Sequence, residues 1–200
     1  MSAGITVRRL GGRDLGPWLD AVAALRTQVF RDWPYLYEGD PAYEREYLRA
    51  YAQSADSVVV LAFDGDQVVG ASTGLPLADD SLEFRKPFLD AGRAVDEVFY
   101  FGESVLLPAW RGRGLGHRFF DEREAHASAL GRFRLTAFCA VDRPADDPRR
   151  PAGHRGNETF WAKRGYQRQP GLTVRLAWRE LGEDSPSEKP LTFWTRPLAA

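Results

Sequence analysis

The chain is poor in the residues that usually announce chemistry. It has one cysteine, Cys139, so no internal disulfide forms and no cysteine-based zinc site is available. A reducing cytoplasm is the expected setting. Its three histidines (His117, His126 and His154) fall on separate segments without ligand spacing, and no metal is expected. Long apolar runs are also missing. None approaches the roughly 18 residues that cross a bilayer, so no membrane partner is expected. The opening MSAGITVRRL carries no apolar secretory core. Excess charge of one sign is absent too. Lys and Arg total 27 against 28 Asp and Glu, net -1, which argues against a nucleic-acid partner. What remains is 200 residues, 44% hydrophobic and 28% charged, a composition that suits one globular domain with a full core.

Periodicity and breakers order that domain. Residues 5–10 read as a strand. Asp14 is placed to cap a helix over 15–30, with Pro17 in its first turn. An aromatic and acidic loop, 31–43, leads to a second helix over 41–53, where Tyr43, Tyr47, Leu48 and Tyr51 recur at helical spacing. Runs 57–63 and 67–75 flank Asp64-Gly65, a hairpin signal. A mixed stretch, 76–95, holds a short helix at most. Then come a strand over 96–107, a helix over 115–130 ended by Gly131, and a strand over 133–141. A polar loop at 142–156, with three prolines, reads equally as a lid or a connector. Asn157 caps a helix to about Arg164, and strands at 172–180 and 189–197 close the chain. The order predicts a single α/β (α+β) domain with a mixed, mostly antiparallel sheet of about seven strands and about four helices.

The densest signal is PAWRGRGLGHRFF, residues 108–120. It lies between an apolar strand and an amphipathic helix. The dinucleotide spacing G-x-G-x-x-G fails, because Gly112 and Gly114 are followed by His117. The P-loop fails for want of a lysine and a hydroxyl residue after the last glycine. Backbone N–H groups at a helix start, freed by glycines and flanked by Arg111 and Arg113, still suit a phosphate.

What remains, Arg111-x-x-Gly114-x-Gly116 with Pro108 and Trp110 before it, resembles the acyl-CoA signature of the GNAT superfamily of N-acyltransferases. The element order fits that fold over most of the chain. The resemblance implies acetyl-CoA or another acyl-CoA as co-substrate. It assigns the diphosphate to Arg111, Gly112, Arg113, Gly114, Leu115, Gly116 and His117. It also implies that the preceding strand splays from its neighbour, so that backbone at about Val105, Leu106 and Leu107 binds the pantetheine arm and polarises the thioester carbonyl.

A carboxylate in that strand, Glu103, is the candidate base for the attacking amine. Burial among apolar neighbours would raise its pKa. The competing reading is a structural ion pair with an arginine. Strict alternation puts Phe101, Glu103 and Val105 on one face, with Gly102, Ser104 and Leu106 on the other. Tyr100 and Ser104 are lesser polar candidates. The stretch FWAKRGYQ, 160–167, resembles a later family motif, but Trp161 stands where that motif has tyrosine. An indole cannot serve as the general acid for a leaving thiolate. Trp161 is left to pack against the cofactor arm or in the core, and a non-catalytic acyl-CoA sensor of the same fold stays open as the alternative. Cys139, in an apolar strand, reads as buried and inert.

For the acceptor, a small-molecule or peptide amine, the 31–43 loop offers Trp33, Tyr35, Tyr37 and Glu38. Aromatic and acidic groups together suit a cation. A solvated loop is the competing reading. Edge strands near the C-terminus leave a homodimer open.

Overall fold

A computed structural model describes residues 4–198. Seven strands form one sheet: β1 (Thr6–Gly11), β2 (Val58–Asp64), β3 (Gln67–Pro76), β4 (Val98–Leu106), β5 (Leu135–Val141), β6 (Gln167–Trp178) and β7 (Ser187–Pro197). Their order is β1-β2-β3-β4-β5-β7-β6. Only β4 and β5 run parallel. The five α-helices are α1 (Leu19–Phe30), α2 (Pro41–Gln53), α3 (Leu82–Asp90), α4 (Leu115–Ala129) and α5 (Glu158–Lys163). Among the described residues no helix is long and apolar enough to cross a membrane.

Helices α1, α2 and α3 cover one face of the sheet, and α4 with α5 covers the other. Strand β2 is therefore buried on both sides from Val58 to Phe63, and its unbroken apolar run follows from that. Asp40 caps α2 by accepting from the Ala42 and Tyr43 N–H groups at 2.9 and 3.3 Å, with Pro41 in the first turn.

The first helix starts later than expected. Residues Gly12–Trp18 form a 3-10 segment containing Asp14 and Pro17, and α1 begins at Leu19 without a side-chain cap. Gly16 weakens an α-helix, and Pro17 has no N–H to give one. Asn157 stands at the start of α5 but its side chain caps nothing. Strand β6 starts at Gln167, five residues before the expected Leu172, and is irregular between Arg168 and Thr173.

The more consequential departure lies in β4. Ser72 pairs with Ser104 and Gly74 with Phe101, so Gly102 and Glu103 together oppose Thr73. This bulge breaks the expected alternation. Phe101 and Ser104 face α4, while Glu103 faces α1 and α2, where Arg26 and Tyr47 meet it. Glycine is required at 102, because a Cβ there would lie 1.9 Å from the Tyr51 hydroxyl.

Arg123 of α4 holds the bulge. It is 1% exposed and donates to the Thr73, Glu103 and Phe119 carbonyls and to Ser104 Oγ at 2.8–3.1 Å. Its guanidinium also lies 4.2 Å from the Phe101 ring centre. Burial lowers its pKa to about 10, and no carboxylate of the described residues pairs with it. The three carbonyls are its main partners. Replacing Arg123 with Met leaves the Thr73 and Glu103 carbonyls without this donor inside the protein and is expected to cost about 1–3 kcal/mol. Urea unfolding checks this; a midpoint equal to wild type would mean the carbonyls find other donors.

The turn after β3 buries a second titrating group. Burial pushes the Asp80 carboxyl up to about 6, with Glu103 adding to the effect and the Ser81 N–H opposing it. Unfolded, the same group titrates at its ordinary 3.8. The folded chain therefore holds the extra proton between these values, and stability falls as pH rises through that window. Asp80→Asn removes the loss. It is expected to stabilise the protein by about 1–3 kcal/mol at pH 8, with the gain vanishing near pH 4. Urea unfolding at the two pH values reads the difference.

Candidate functional site

Two features of β4 create the site. The first is a gap. Strands β4 and β5 pair only at Val98–Leu135, Phe99–Thr136 and Tyr100–Ala137. From Phe101 to Leu106 the β5 side of β4 has no ladder, which is the splay the resemblance implied. The antiparallel pairing with β3 decides which backbone groups face the gap. Leu107 N–H is already bonded to Val69 O at 3.0 Å. Alternation then turns Val105 toward β3 and Leu106 toward the gap. The Leu106 carbonyl, which accepts from Arg111 Nε at 3.0 Å, agrees with this direction. Of the three expected backbone positions, Leu106 alone opens to the gap, and Leu107 does not.

The second feature is the loop at the end of β4. A 3-10 turn, Pro108–Trp110, leads through Arg111–Gly114 into α4. Gly112 and Gly114 adopt φ of +75° and +79°, which side chains other than glycine rarely tolerate. Gly114 occupies the capping position of α4, and no side chain caps it. The N–H groups of Leu115, Gly116 and His117 therefore precede the first intrahelical bond, which runs from Arg118 N–H to the Gly114 carbonyl. The loop is tied down around them. Trp110 Nε1 donates to Asp64 of the β2–β3 hairpin at 3.1 Å, and Arg113 donates to the Ala109 carbonyl at 3.1 Å. Arg111, Gly112, Arg113 and Gly114 are all exposed. Open N–H groups, a 15-residue helix behind them and two arginines fit a diphosphate.

Helix α5 packs across the start of α4. The Phe160 ring would stand 3.5 Å from a Cβ on Gly116 and meets His117 edge-on. Arg164 reaches His117 Nδ1 at 3.1 Å, Asp121 at 2.7 Å and Glu124 at 2.8 Å. Trp161 turns away from these and packs edge-on against Phe138 and Trp194, at 5.0 and 5.2 Å between ring centres.

On the other face of β4, a cavity of about 110 Å³ lies between α1, α2, α3 and strands β4, β6 and β7. Glu44 and Glu103 line it and share one cation. Arg26 Nη1 is 2.7 Å from Glu103 Oε2, and Arg26 Nε donates to Glu44 Oε2. Tyr47 donates its hydroxyl to Glu103 Oε2 at 3.0 Å. The guanidinium lies 3.9 Å from the Tyr47 ring centre and 5.1 Å from that of Phe30. Burial opposes its charge, but Glu103, Tyr47 and Glu44 outweigh burial and hold its pKa above the ordinary value. Burial and then Glu103 push the Tyr47 hydroxyl well up, so it stays protonated. Both carboxylates keep a buried oxygen, Oε1, without a partner. The surroundings of Glu103 are thus not the apolar ones expected from the strand.

The 31–43 segment reaches this cavity only in part. Tyr35 and Tyr37 line it. Trp33 lies outside, against His154 and Arg143, and Glu38 lies outside in a surface pair with Arg31 at 3.9 Å. The segment curls on itself, with the Tyr35 and Leu36 N–H groups both bonded to the Asp32 carbonyl, and Trp33 falls off the side that Tyr35 and Tyr37 share. Arg26 and Glu44 were missed. A signal existed for Glu44, which precedes Leu48 and Tyr51 on the buried stripe of α2. Nothing in the sequence ties Arg26 to it. Cys139 also borders the cavity; burial pushes its thiol up to about 12, and its sulfur bonds the Tyr100 hydroxyl. The thiol therefore stays protonated, though Cys139 is half-buried rather than buried as expected. The 142–156 loop is anchored by two arginines. Arg143 and Arg149 each meet the buried Glu180 at 2.5 Å, and Arg143 also donates to the Pro34 and Tyr35 carbonyls. It straps the 31–43 segment over the cavity.

The chain has relatives in sequence family and in fold. The model of the acetyltransferase (GNAT) family matches residues 22–151. No curated protein matches the chain in sequence. Solved structures resemble it over nearly its whole length. Arabidopsis thaliana NAA60 in complex with acetyl-CoA superposes with a TM-score of 0.63 at 13% identity, covering 98% of this chain and 99% of that one. Ribosomal-protein-alanine N-acetyltransferase from Brucella melitensis gives 0.62 at 15% identity, with 96% and 99% covered. An aminoglycoside 6'-N-acetyltransferase complexed with coenzyme A gives 0.61 at 15%, with 98% of each covered. At such identities the likeness establishes the fold, and the family match, spanning well over half of the chain, establishes the kinship. The chain belongs to the acetyltransferase (GNAT) family of enzymes, for which acetyl-CoA-dependent acetylation of amines is typical.

Proposed function

We propose that the protein transfers an acetyl group from acetyl-CoA to a primary amine by direct attack in a ternary complex. The observation that carries this is the coincidence of two half-sites on one strand. The uncapped start of α4 and the open Leu106 backbone lie at the end of β4, and the carboxylate-lined cavity lies against its bulge. Acetyl-CoA, when bound, supplies an activated thioester carbonyl. The N–H groups of residues 112–117, with Arg111 and Arg113, hold its diphosphate. Leu106 N–H polarises the carbonyl oxygen. Trp161 walls the arm from the α5 side.

Glu103 takes one proton from the acceptor ammonium, directly or through a water, and passes it to solvent. The neutral nitrogen then forms the C–N bond as the C–S bond breaks. Its second proton balances the departing thiolate, which leaves tolerably without an acid because thiols titrate near 8.5. The absence of a tyrosine at 161 is therefore compatible with turnover.

Two measurements test the reading. Glu103→Gln is expected to lower kcat at least 100-fold while acetyl-CoA affinity, read by calorimetry, stays within threefold. Unchanged turnover of a verified amine would remove Glu103 from the mechanism. Acetyl-CoA binding without thiol release over a broad amine panel would favour a sensor instead. Gly114→Asp separates loop function from folding. Aspartate enters the left-handed region more readily than most residues but not freely, so stability is expected to fall by about 1–2 kcal/mol, read by a thermal melt that also verifies the fold. The new carboxylate occupies the N–H groups and repels a diphosphate, and acetyl-CoA affinity is expected to fall at least tenfold. Unaltered affinity would place the diphosphate elsewhere.

A further inference from the structure

We propose that Ser104 is a second catalytic residue: its hydroxyl joins the Leu106 N–H in holding the thioester carbonyl oxygen, with the buried Arg123 cation behind it. The proposal rests on the acetyl-transfer reading above and deepens it. It starts from a residue that is exposed where burial is the rule. Strand β4 lies in the middle of the sheet, and α4 covers the face to which Ser104 points. Ser104 is nevertheless exposed, while Phe101, Glu103, Val105 and Leu107 around it are buried. Strand β3 closes one side, since Ser72 pairs with Ser104. The open side is the gap left where β5 stops pairing at Tyr100. The alternation that turns Leu106 toward this gap turns Ser104 there too, because Val105 and Leu107 are the positions bonded to β3.

The hydroxyl has a proton to give. Arg123 Nη2 donates to Ser104 Oγ at 2.8 Å and uses one lone pair of that oxygen. A guanidinium has no acceptor, so the Ser104 O–H cannot turn back to it. Among the described residues no acceptor takes that proton. Two residues of strand rise by about 7 Å, and the Ser104 side chain spans part of that distance. The hydroxyl and the Leu106 N–H can therefore converge on one oxygen with bonds of about 3 Å each.

The cation behind the hydroxyl strengthens it as a donor. Arg123 is 1% exposed, and its pKa of about 10 leaves it charged at neutral pH. Its hydrogen bonds go to three carbonyls and to Ser104, none of them an anion. Hydrogen bonds in such a chain polarise one another, and the interior screens the charge poorly. The chemistry places the demand at that point. As the amine nitrogen bonds to the carbonyl carbon, an electron pair moves onto the carbonyl oxygen. It returns as the C–S bond breaks and sulfur leaves with its pair. Ser104 keeps its proton throughout and stabilises the charge while it exists. Glu103 and Ser104 are adjacent in the chain but face opposite sides of the sheet. The base thus meets the amine on one side, and the oxygen gathers charge on the other.

Isotope-edited infrared spectroscopy of acetyl-CoA labelled at the acetyl carbonyl reads the contact without any acceptor. In the wild type the bound carbonyl stretch is expected below its position for acetyl-CoA in water. In Ser104→Ala it is expected to move back up. Acetyl-CoA affinity by calorimetry is expected to stay within about threefold, while kcat with a verified amine falls about 100-fold, as for loss of one oxyanion donor. Ser104→Thr retains a hydroxyl and is expected to keep the band in place and kcat within about tenfold. A thermal melt verifies each fold. Should Ser104→Ala not fold, Ser104→Cys, whose thiol is a weak donor, is read in its place. A band that stays at its wild-type position would overturn the proposal, and so would an unchanged kcat. Loss of kcat without movement of the band would mark a structural role only, which also overturns it. A band that relaxes in Ser104→Ala, with no thiol release by the wild type over a broad amine panel, would sink the transfer reading and leave the Ser104 contact standing. Failure of the wild type to bind acetyl-CoA would sink both.

Discussion

The site depends on one discontinuity in β4. A regular strand would stay paired with β5 along its length and would send Glu103 to the same face as Phe101. Here pairing with β5 stops at Tyr100, and two residues, Gly102 and Glu103, share one partner on β3. The gap exposes backbone toward the cofactor side. The bulge redirects a carboxylate toward the opposite side. Both sides of the reaction are thus served by a few residues of one strand, and the sheet on either side keeps them in fixed relation.

Two buried arginines maintain this arrangement by opposite means. Arg26 is held by carboxylates, and its charge is reinforced beyond the cost of burial. Arg123 has carbonyl oxygens and ring faces instead, and burial prevails over its charge. The difference follows from their tasks. Arg123 organises backbone, for which a fork of N–H donors suffices. Arg26 spaces two acids that would otherwise repel each other. The first sets where β4 bends; the second sets what the bend presents.

The periphery divides in the same way. On the cofactor side, α5 and the Trp110–Asp64 bond brace a loop whose backbone must stay open. On the acceptor side, Glu180 gathers Arg143 and Arg149 and straps the 142–156 loop over the aromatic segment. Glu180 is 2% exposed. An ion cluster around a carboxylate so buried is strongly destabilised by loss of one member, so Glu180 ties the 142–156 loop to the segment that carries Tyr35.

Local patterns in the chain determined a great deal. The β2–β3 hairpin, which turns at Gly65-Asp66 one residue past the Asp64-Gly65 signal, the α2 boundaries, the seven strands and the Arg111–Gly116 loop were legible because each depends on neighbours in sequence: turn geometry, helical spacing, glycine at positive φ. Glu103 was legible as an odd carboxylate in an apolar strand. Its direction was not, because a bulge is set by the partner strand and by Arg123, 20 residues away. The same reason hid the acceptor pocket. Glu44 and Arg26 each look like ordinary helix charges, and Trp33 and Glu38 looked like better ligands. Only tertiary packing brought α1 and α2 against β4, excluded water from the two acids, and left Arg26 as their shared counter-charge. Burial and pairing across the fold are properties of distance in space, and sequence spacing does not encode them.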